Sequence, residues 1–112
     1  MESTSAVNAL AALAQESRLA IYRLLVQTGQ EGLSAGKISE ATGIPPSSLS
    51  FHLKELAHAE LVTSRNESRF VIYSANFDTM SALLAFMTEN CCKGHPEECV
   101  DLCQDTSCSS NS

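Results

Sequence analysis

The sequence predicts a mainly α-helical domain with one small β-hairpin. Three observations predict it. Apolar residues recur at helical spacing in consecutive short stretches over the first 60 residues. Two β-prone runs, Leu61–Arg65 and Phe70–Ser74, follow without helical periodicity, and a last helical stretch runs from Phe77 to about Asn90. The length, 112 residues, suits one domain whose core is too small to enclose a large active-site cavity.

Residues 4–14 are rich in Ala and Leu and read as a helix with Val7, Leu10, Leu13 and Ala14 on one side. Gln15-Glu16-Ser17 reads as a break or cap before a second helix that runs to about Gln27. Its apolar positions Leu19, Ile21, Tyr22, Leu24, Leu25 and Val26 cover most of the circumference, so it should lie centrally in the core. Thr28-Gly29-Gln30-Glu31-Gly32 reads as a loop, and Ser34 as the cap of a third short helix from about Ala35 to Thr42. Gly43 closes that helix as a C-cap glycine would.

The rest of the chain is organised around residues 45–59. Pro45-Pro46 ends what precedes, Ser47 is expected to cap a new helix, and Leu49, Leu53 and Leu56 make one apolar stripe. Ser47, Ser48, Ser50, His52 and Lys54 occupy the rest of the surface as hydrogen-bonding side chains that could touch nucleic acid. Alone, that face could equally be the solvated side of an ordinary helix. A short helix, a glycine turn and a second helix with a polar outer face is the helix-turn-helix pattern. The hairpin behind it carries Arg65 and Arg69 near its tip, joined through Asn66-Glu67-Ser68-Arg69, and the combination is a winged helix-turn-helix.

The last helix places Met80, Leu83, Leu84 and Met87 on one face, with Ala82, Ala85 and Phe86 alongside. Like the first helix, it has more apolar surface than one small core can bury. That surplus predicts a homodimer through the first and last helices. Such a dimer would set two recognition helices about one DNA turn apart, on double-stranded operator DNA with an inverted repeat.

The net charge of −6 argues against non-specific coating of nucleic acid. Its distribution matters more. Residues 91–112 hold one base, Lys93, and four acids, Glu97, Glu98, Asp101 and Asp105, which is −3 of the total. Lys37, His52, Lys54, His58, Arg65 and Arg69 lie near the proposed helix and the hairpin, so a local basic face on an acidic body is possible. No apolar run approaches the roughly 18 to 20 residues of a membrane span. Met1-Glu2-Ser3-Thr4 does not open a secretory signal, and a cytoplasmic location with no membrane partner is expected. The odd count of five cysteines fits that expectation.

Two units follow from this reading. Residues 1–90 form the DNA-binding and dimerisation domain, and residues 91–112 form a cysteine-containing tail, partly disordered. Cys91, Cys92, Cys99, Cys103 and Cys108 all lie in the tail. Cys91-Cys92 is adjacent to the last helix, and Lys93-Gly94-His95-Pro96 is a loop able to bring Cys99 back. Three thiolates without a required carboxylate or imidazole suit a soft thiophilic centre. Trivalent arsenic, and antimony by analogy, takes three sulfurs in a pyramid. Zinc prefers four ligands, and Cys99-x-x-x-Cys103 with His95 keeps zinc or cadmium open. The site is therefore expected at Cys91, Cys92 and Cys99, with Cys103 a substitute for the third, As(III) the bound ion and Sb(III) possible. Thiol oxidation and incidental tail cysteines are the competing readings.

Across residues 6–90 the chain resembles the ArsR/SmtB family of small dimeric winged-helix repressors that sense metals and metalloids, in particular its arsenic-responsive branch. The resemblance rests on Ala14-Gln15-Glu16-Ser17-Arg18-Leu19-Ala20-Ile21, on Ser47-Ser48-Leu49-Ser50-Phe51-His52-Leu53-Lys54-Glu55-Leu56, and on Leu61-Val62 through Arg69 and Tyr73. The string Ser-x-x-x-His-Leu-x-x-Leu is its most specific part. It implies an apo dimer that sits on its operator and is released by inducer. Two departures are informative. Many relatives carry paired cysteines in the helix before the recognition helix, and residues 33–41 have none. Zinc-sensing relatives place Asp and His along the last helix, where this chain has no His and only Asp78.

For DNA contacts the expected residues are Ser47, Ser48, Ser50, His52 and Lys54 toward the groove, with Arg65 and Arg69 on phosphates or in the minor groove. Phe51 is expected to pack inward, and Glu55 and Glu60 to face away from DNA. An enzyme is not expected. A small thiol reductase would want a Cys-x-x-Cys pair, which is absent from the sequence. An interaction or metal-buffering module remains the alternative that the acidic charge favours.

Overall fold

Five helices and a three-stranded sheet alternate along the chain in a computed structural model that describes residues 1–91. The order is α1 (Ser3–Leu13), α2 (Glu16–Thr28), a 3-10 turn (Gly29–Glu31), β1 (Leu33–Ser34), α3 (Ala35–Thr42), α4 (Pro46–His58), β2 (Val62–Glu67), β3 (Phe70–Ala75) and α5 (Phe77–Met87). This is the winged helix-turn-helix the sequence predicts.

The core forms where α2 meets α4. Ile21, Tyr22 and Leu25 of α2 pack with Leu49, Leu53 and Leu56 of α4, and Ile38 of α3, Leu61 and Leu83 of α5 complete the cluster. Leu49, Leu53 and Leu56 follow the i, i+4, i+7 spacing of one helical face, which is why α4 buries all three. α2 is central as expected, although Leu19, one of its apolar positions, is exposed.

α1 differs from the sequence reading in the face it buries. Ala6 and Ala9 point inward, while Val7 and Leu10 remain exposed. Small alanines let α1 approach the body closely, and the larger side chains are left on its outer side. α5 repeats the pattern, with Leu83 buried and Leu84 and Met87 exposed. It ends at Met87 rather than Asn90, and Asn76 caps its start by accepting from the Thr79 N–H at 3.3 Å.

The sheet has the order β1-β3-β2, antiparallel throughout. The hairpin was legible, but β1 was not. Leu33 pairs with Tyr73 and Ser34 with Ile72, so the short approach to α3 becomes an edge strand. The wing turn is also tighter than expected. Glu67 pairs with Phe70, leaving a two-residue turn at Ser68-Arg69 with Ser68 at φ 57°. Gly32 sits where β3 comes close. At φ +71°, its missing Cβ would meet the Tyr73 carbonyl and lie 2.6 Å from Ser74 Oγ.

Candidate nucleic-acid interface

The turn between α3 and α4 is held by local bonds that follow directly from its residue types. Gly43 adopts φ 77° and ψ 6° and donates its N–H to the Ser39 carbonyl at 2.8 Å. That is a glycine C-cap, placed as the sequence indicated. Ser39 Oγ donates to the Ile44 carbonyl at 2.6 Å, and the Ile44 N–H donates to Thr42 Oγ1 at 3.3 Å. At the other end of α3, Ser34 Oγ accepts from the Lys37 N–H at 3.3 Å, the cap expected there.

Ser47 does not cap α4. Pro45 is the N-cap residue and Pro46 takes the first helical position, so Ser47 lies inside the first turn without a capping bond. Proline has no N–H to leave unsatisfied there, and its fixed φ suits a first turn. Freed from capping, the Ser47 hydroxyl is exposed. The far end of α4 closes with a Schellman motif. The Glu60 N–H donates to the Ala57 carbonyl and the Leu61 N–H to the Leu56 carbonyl, each at 2.9 Å. Glu60 occupies the left-handed position at φ 64°, and Leu61 behind it is fully buried.

The predicted contact residues separate onto two faces of α4. Ser47, Ser50 and Lys54, at i, i+3 and i+7, lie together on the side away from Leu49, Leu53 and Leu56. Ser48 and His52 fall on a neighbouring flank with Glu55. His52 is partly buried because its Nδ1 lies 3.4 Å from Arg18 Nη1 of α2. Arg18 is itself fixed by donating from Nε to the Ala12 carbonyl at 2.7 Å.

Phe51 is the correction on this helix. It fills the i+4 place of the Ser47 stripe and is 55% exposed rather than packed inward. With three leucines defining the buried face, the intervening position can only point outward. Its ring meets that of His52 edge-on, with centroids 5.6 Å apart and planes at 63°.

On the wing, the two arginines also part company. Arg69 lies exposed in the two-residue turn. Arg65 donates from Nη1 to the Gln30 carbonyl at 3.2 Å and to Ser74 Oγ at 3.1 Å. From Nη2 it reaches the Glu31 carbonyl at 2.7 Å, and its Nε pairs with Glu67 Oε2 at 2.8 Å. Four of the five N–H groups of a guanidinium are thus committed within the protein. The side chain seen in sequence as a phosphate contact is a brace between the wing and the 3-10 turn.

Of the cysteines expected to bind a thiophilic ion, only Cys91 lies among the described residues. Cys91, half-buried, follows α5 and donates its N–H to the Thr88 carbonyl at 2.9 Å. Cys92, Cys99, Cys103 and Cys108 lie outside the described residues. Among the described residues no group of three or more His, Cys, Asp or Glu is arranged to hold a metal ion. No helix among them is long and apolar enough to cross a membrane.

Residues 13–65 match a family described as a helix-turn-helix domain. Over 73 residues the chain is 41% identical to YceK of Bacillus subtilis (strain 168), an uncharacterised HTH-type transcriptional regulator; the match covers 65% of this chain and 72% of YceK. Among solved structures, the homodimeric winged helix-turn-helix domain of Mb0332 from Mycobacterium bovis, a possible ArsR-family transcriptional regulator, superposes with a TM-score of 0.62 at 27% identity. That match covers 82% of this chain and 85% of the other. The chain is a winged-helix transcriptional regulator of the ArsR/SmtB type. HlyU from Vibrio cholerae N16961 shares 32% identity with this regulator over 82% of its chain and 99% of HlyU, with a TM-score of 0.64. HlyU has also been solved in a form described as reduced.

Proposed function

We propose that this regulator is a dimeric repressor that binds an inverted-repeat operator through α4 and the wing and leaves it when trivalent arsenic, or antimony, is bound by thiolates of Cys91, Cys92 and Cys99. One observation carries the DNA half. The helix presented by the α3 turn shows DNA a stripe of exposed Ser47, Ser50 and Lys54, with Arg69 at the wing turn and no acid among these four. Serines can reach base edges or phosphates, and Lys54 and Arg69 supply the charge that phosphates demand. Ser48 and His52 would contribute from the flank.

The dimer half is supported by Val7 and Leu10 on α1 and by Leu84 and Met87 on α5, four large apolar side chains exposed on the first and last helices. Mb0332 is described as homodimeric, and the same assembly is proposed for this chain. Pairing would place two copies of α4 on successive major grooves.

The inducer half rests on the donor set. Cys91 lies four residues beyond Met87, the last residue of the helix proposed for dimerisation, so holding it together with Cys92 and Cys99 would act on the subunit packing. Release requires the inducer to bind the DNA-free shape more tightly than the DNA-bound one. A difference of about 1–3 kcal/mol weakens DNA binding roughly 5- to 150-fold. Thiol oxidation of the same cysteines is the second reading, and the solution of HlyU in a reduced form favours keeping it.

A gel shift on the DNA upstream of its own gene tests the proposal. Arsenite should release the wild-type protein at micromolar concentration, while Cys91→Ser and Cys92→Ser should bind DNA normally and ignore arsenite. Release by peroxide but not by arsenite would establish the oxidation reading instead. Failure to bind any duplex selectively at moderate salt would overturn the repressor reading.

A further inference from the structure

We propose that Phe51 is a specificity-determining residue that reads the C5-methyl group of a thymine in each half of the operator. The inference rests on α4 being the DNA-reading helix. It begins from an anomaly: a phenylalanine 55% exposed in the middle of an otherwise hydrophilic stripe. Scattered exposed apolar residues are ordinary on protein surfaces. Phe51 is not scattered. Ser47 and Lys54 flank it four residues before and three after, with Ser50 also neighbouring both on the outer face, so whatever covers that stripe must also cover the ring.

The occupant follows from those neighbours. Two hydroxyls and an ammonium suit a polyanionic surface with hydrogen-bonding edges, and would be left poorly matched by an apolar protein partner. In the major groove, one base-edge group is apolar, the thymine methyl, and an aromatic side chain is a fitting contact for it. Ser47 and Ser50 can each donate or accept, and Lys54 is a point charge, so these three discriminate weakly among bases. Phe51 alone of the four separates thymine from cytosine by an apolar contact.

The ring also has a neighbour within the protein. Its edge-on contact with His52, whose Nδ1 lies against the Arg18 guanidinium, limits its rotamers from behind. Arginine is always a donor, so His52 Nδ1 must accept, and the imidazole stays turned away from the stripe. Phe51 therefore occupies a place on the stripe that His52 does not reach.

Uracil replacement tests this without altering any hydrogen-bonding group of the duplex. An operator is first selected from randomised duplex DNA by the full-length protein, and each thymine of a half-site is then replaced singly by deoxyuridine. At one position the wild-type affinity should fall about fourfold, and roughly 16-fold when both half-sites are changed, the effect of losing one buried methyl each. Phe51→Ala should bind the thymine operator more weakly and should not distinguish the two duplexes. As an exposed side chain, Phe51 can be truncated without emptying the core, and an unchanged circular dichroism spectrum and melting temperature would confirm that. Selective binding in which every uracil duplex matches its thymine parent would overturn the methyl contact alone. An equal uracil penalty in Phe51→Ala would assign the methyl to another residue and also overturn it. Absence of any selective binding would overturn this inference together with the repressor reading beneath it.

Discussion

Arg65 of β2 donates to the hydroxyl of Ser74 of β3 at 3.1 Å, and both side chains donate to the same acceptor, the Gln30 carbonyl, at 3.2 Å each. Ser74 is the one buried polar side chain of the described core, so the wing is tied to the 3-10 turn after α2 by a polar joint rather than by packing alone. Truncating Arg65 to alanine removes the brace but leaves the Ser74–Gln30 bond. Chemical denaturation should show a loss of about 1–2 kcal/mol, since the bonds are charge-assisted but partly solvated. Lysine at this position should recover little of it, because it lacks the planar fork that reaches several acceptors at once.

Gly29 and Gly32 share nearly the same positive φ, 72° and 71°, but not the same surroundings. A Cβ at Gly29 meets nothing within 4 Å, whereas one at Gly32 collides with β3. At ψ −155° and −173° both lie in a region that only glycine adopts readily, so Gly29→Ala should cost about 1–3 kcal/mol of backbone strain alone. Gly32→Ala should cost more, at least about 3 kcal/mol, because it must also push β1 and β3 apart. Thermal melts of the two variants, run side by side, separate strain from collision.

Glu60 offers the opposite sign. It holds the left-handed position of the Schellman motif at φ 64°, where glycine would sit without strain. Glu60→Gly should stabilise the protein by about 1 kcal/mol, measurable as a shifted denaturation midpoint with an unchanged slope.

Val7, exposed by 61% on α1, and Met87, exposed by 59% on α5, are placed to pair two copies. Val7→Glu or Met87→Glu should leave each chain folded but raise the dimer dissociation constant at least about tenfold in sedimentation equilibrium. An unchanged sedimentation profile for both variants would remove these helices from the interface.

Burial raises the phenol of Tyr22 above the ordinary tyrosine value of 10.0. The folded chain therefore holds that proton to higher pH than the unfolded chain does. The resulting stability is fully present below about pH 10 and is lost as pH rises through the folded value. Tyr22→Phe should flatten the alkaline fall in stability while changing little at neutral pH, as pH-stepped denaturation would show.

The parts of this architecture that could be read from sequence are those encoded by neighbouring residues. Ser34, Gly43 and Pro45-Pro46 punctuate α3 and α4 locally, and their roles as cap, C-cap and break are visible without a partner. β1 was not legible because two residues carry no period, and Leu33-Ser34 becomes a strand only when Tyr73 and Ile72 arrive from 40 residues downstream. α1 misled for a different reason. Periodicity finds the larger apolar stripe, Val7 and Leu10, but close packing selects the smaller one, Ala6 and Ala9. On α4, polar residue type indicated a hydrophilic outer face but not how its side chains divide between two sides. His52 and Arg65 were counted as contacts by their chemistry, and in the fold each is engaged by a residue at least 30 positions away in sequence. Phe51 was missed by the same habit, since an aromatic is assigned inward by default. The i, i+4, i+7 spacing of Leu49, Leu53 and Leu56 already excluded that.

The brace at Arg65 has a mechanical consequence. β2 spans six residues, about 20 Å of extended chain, and would act as a cantilever if fixed only at Val62. Arg65 is its fourth residue, so the arm is propped beyond its midpoint and roughly 10 Å remains to swing. For a given angular fluctuation, the tip carrying Arg69 sweeps about half the distance it otherwise would. The wing is thus a short stiff finger, and if it meets a duplex as proposed, less of its freedom is left to be frozen on contact.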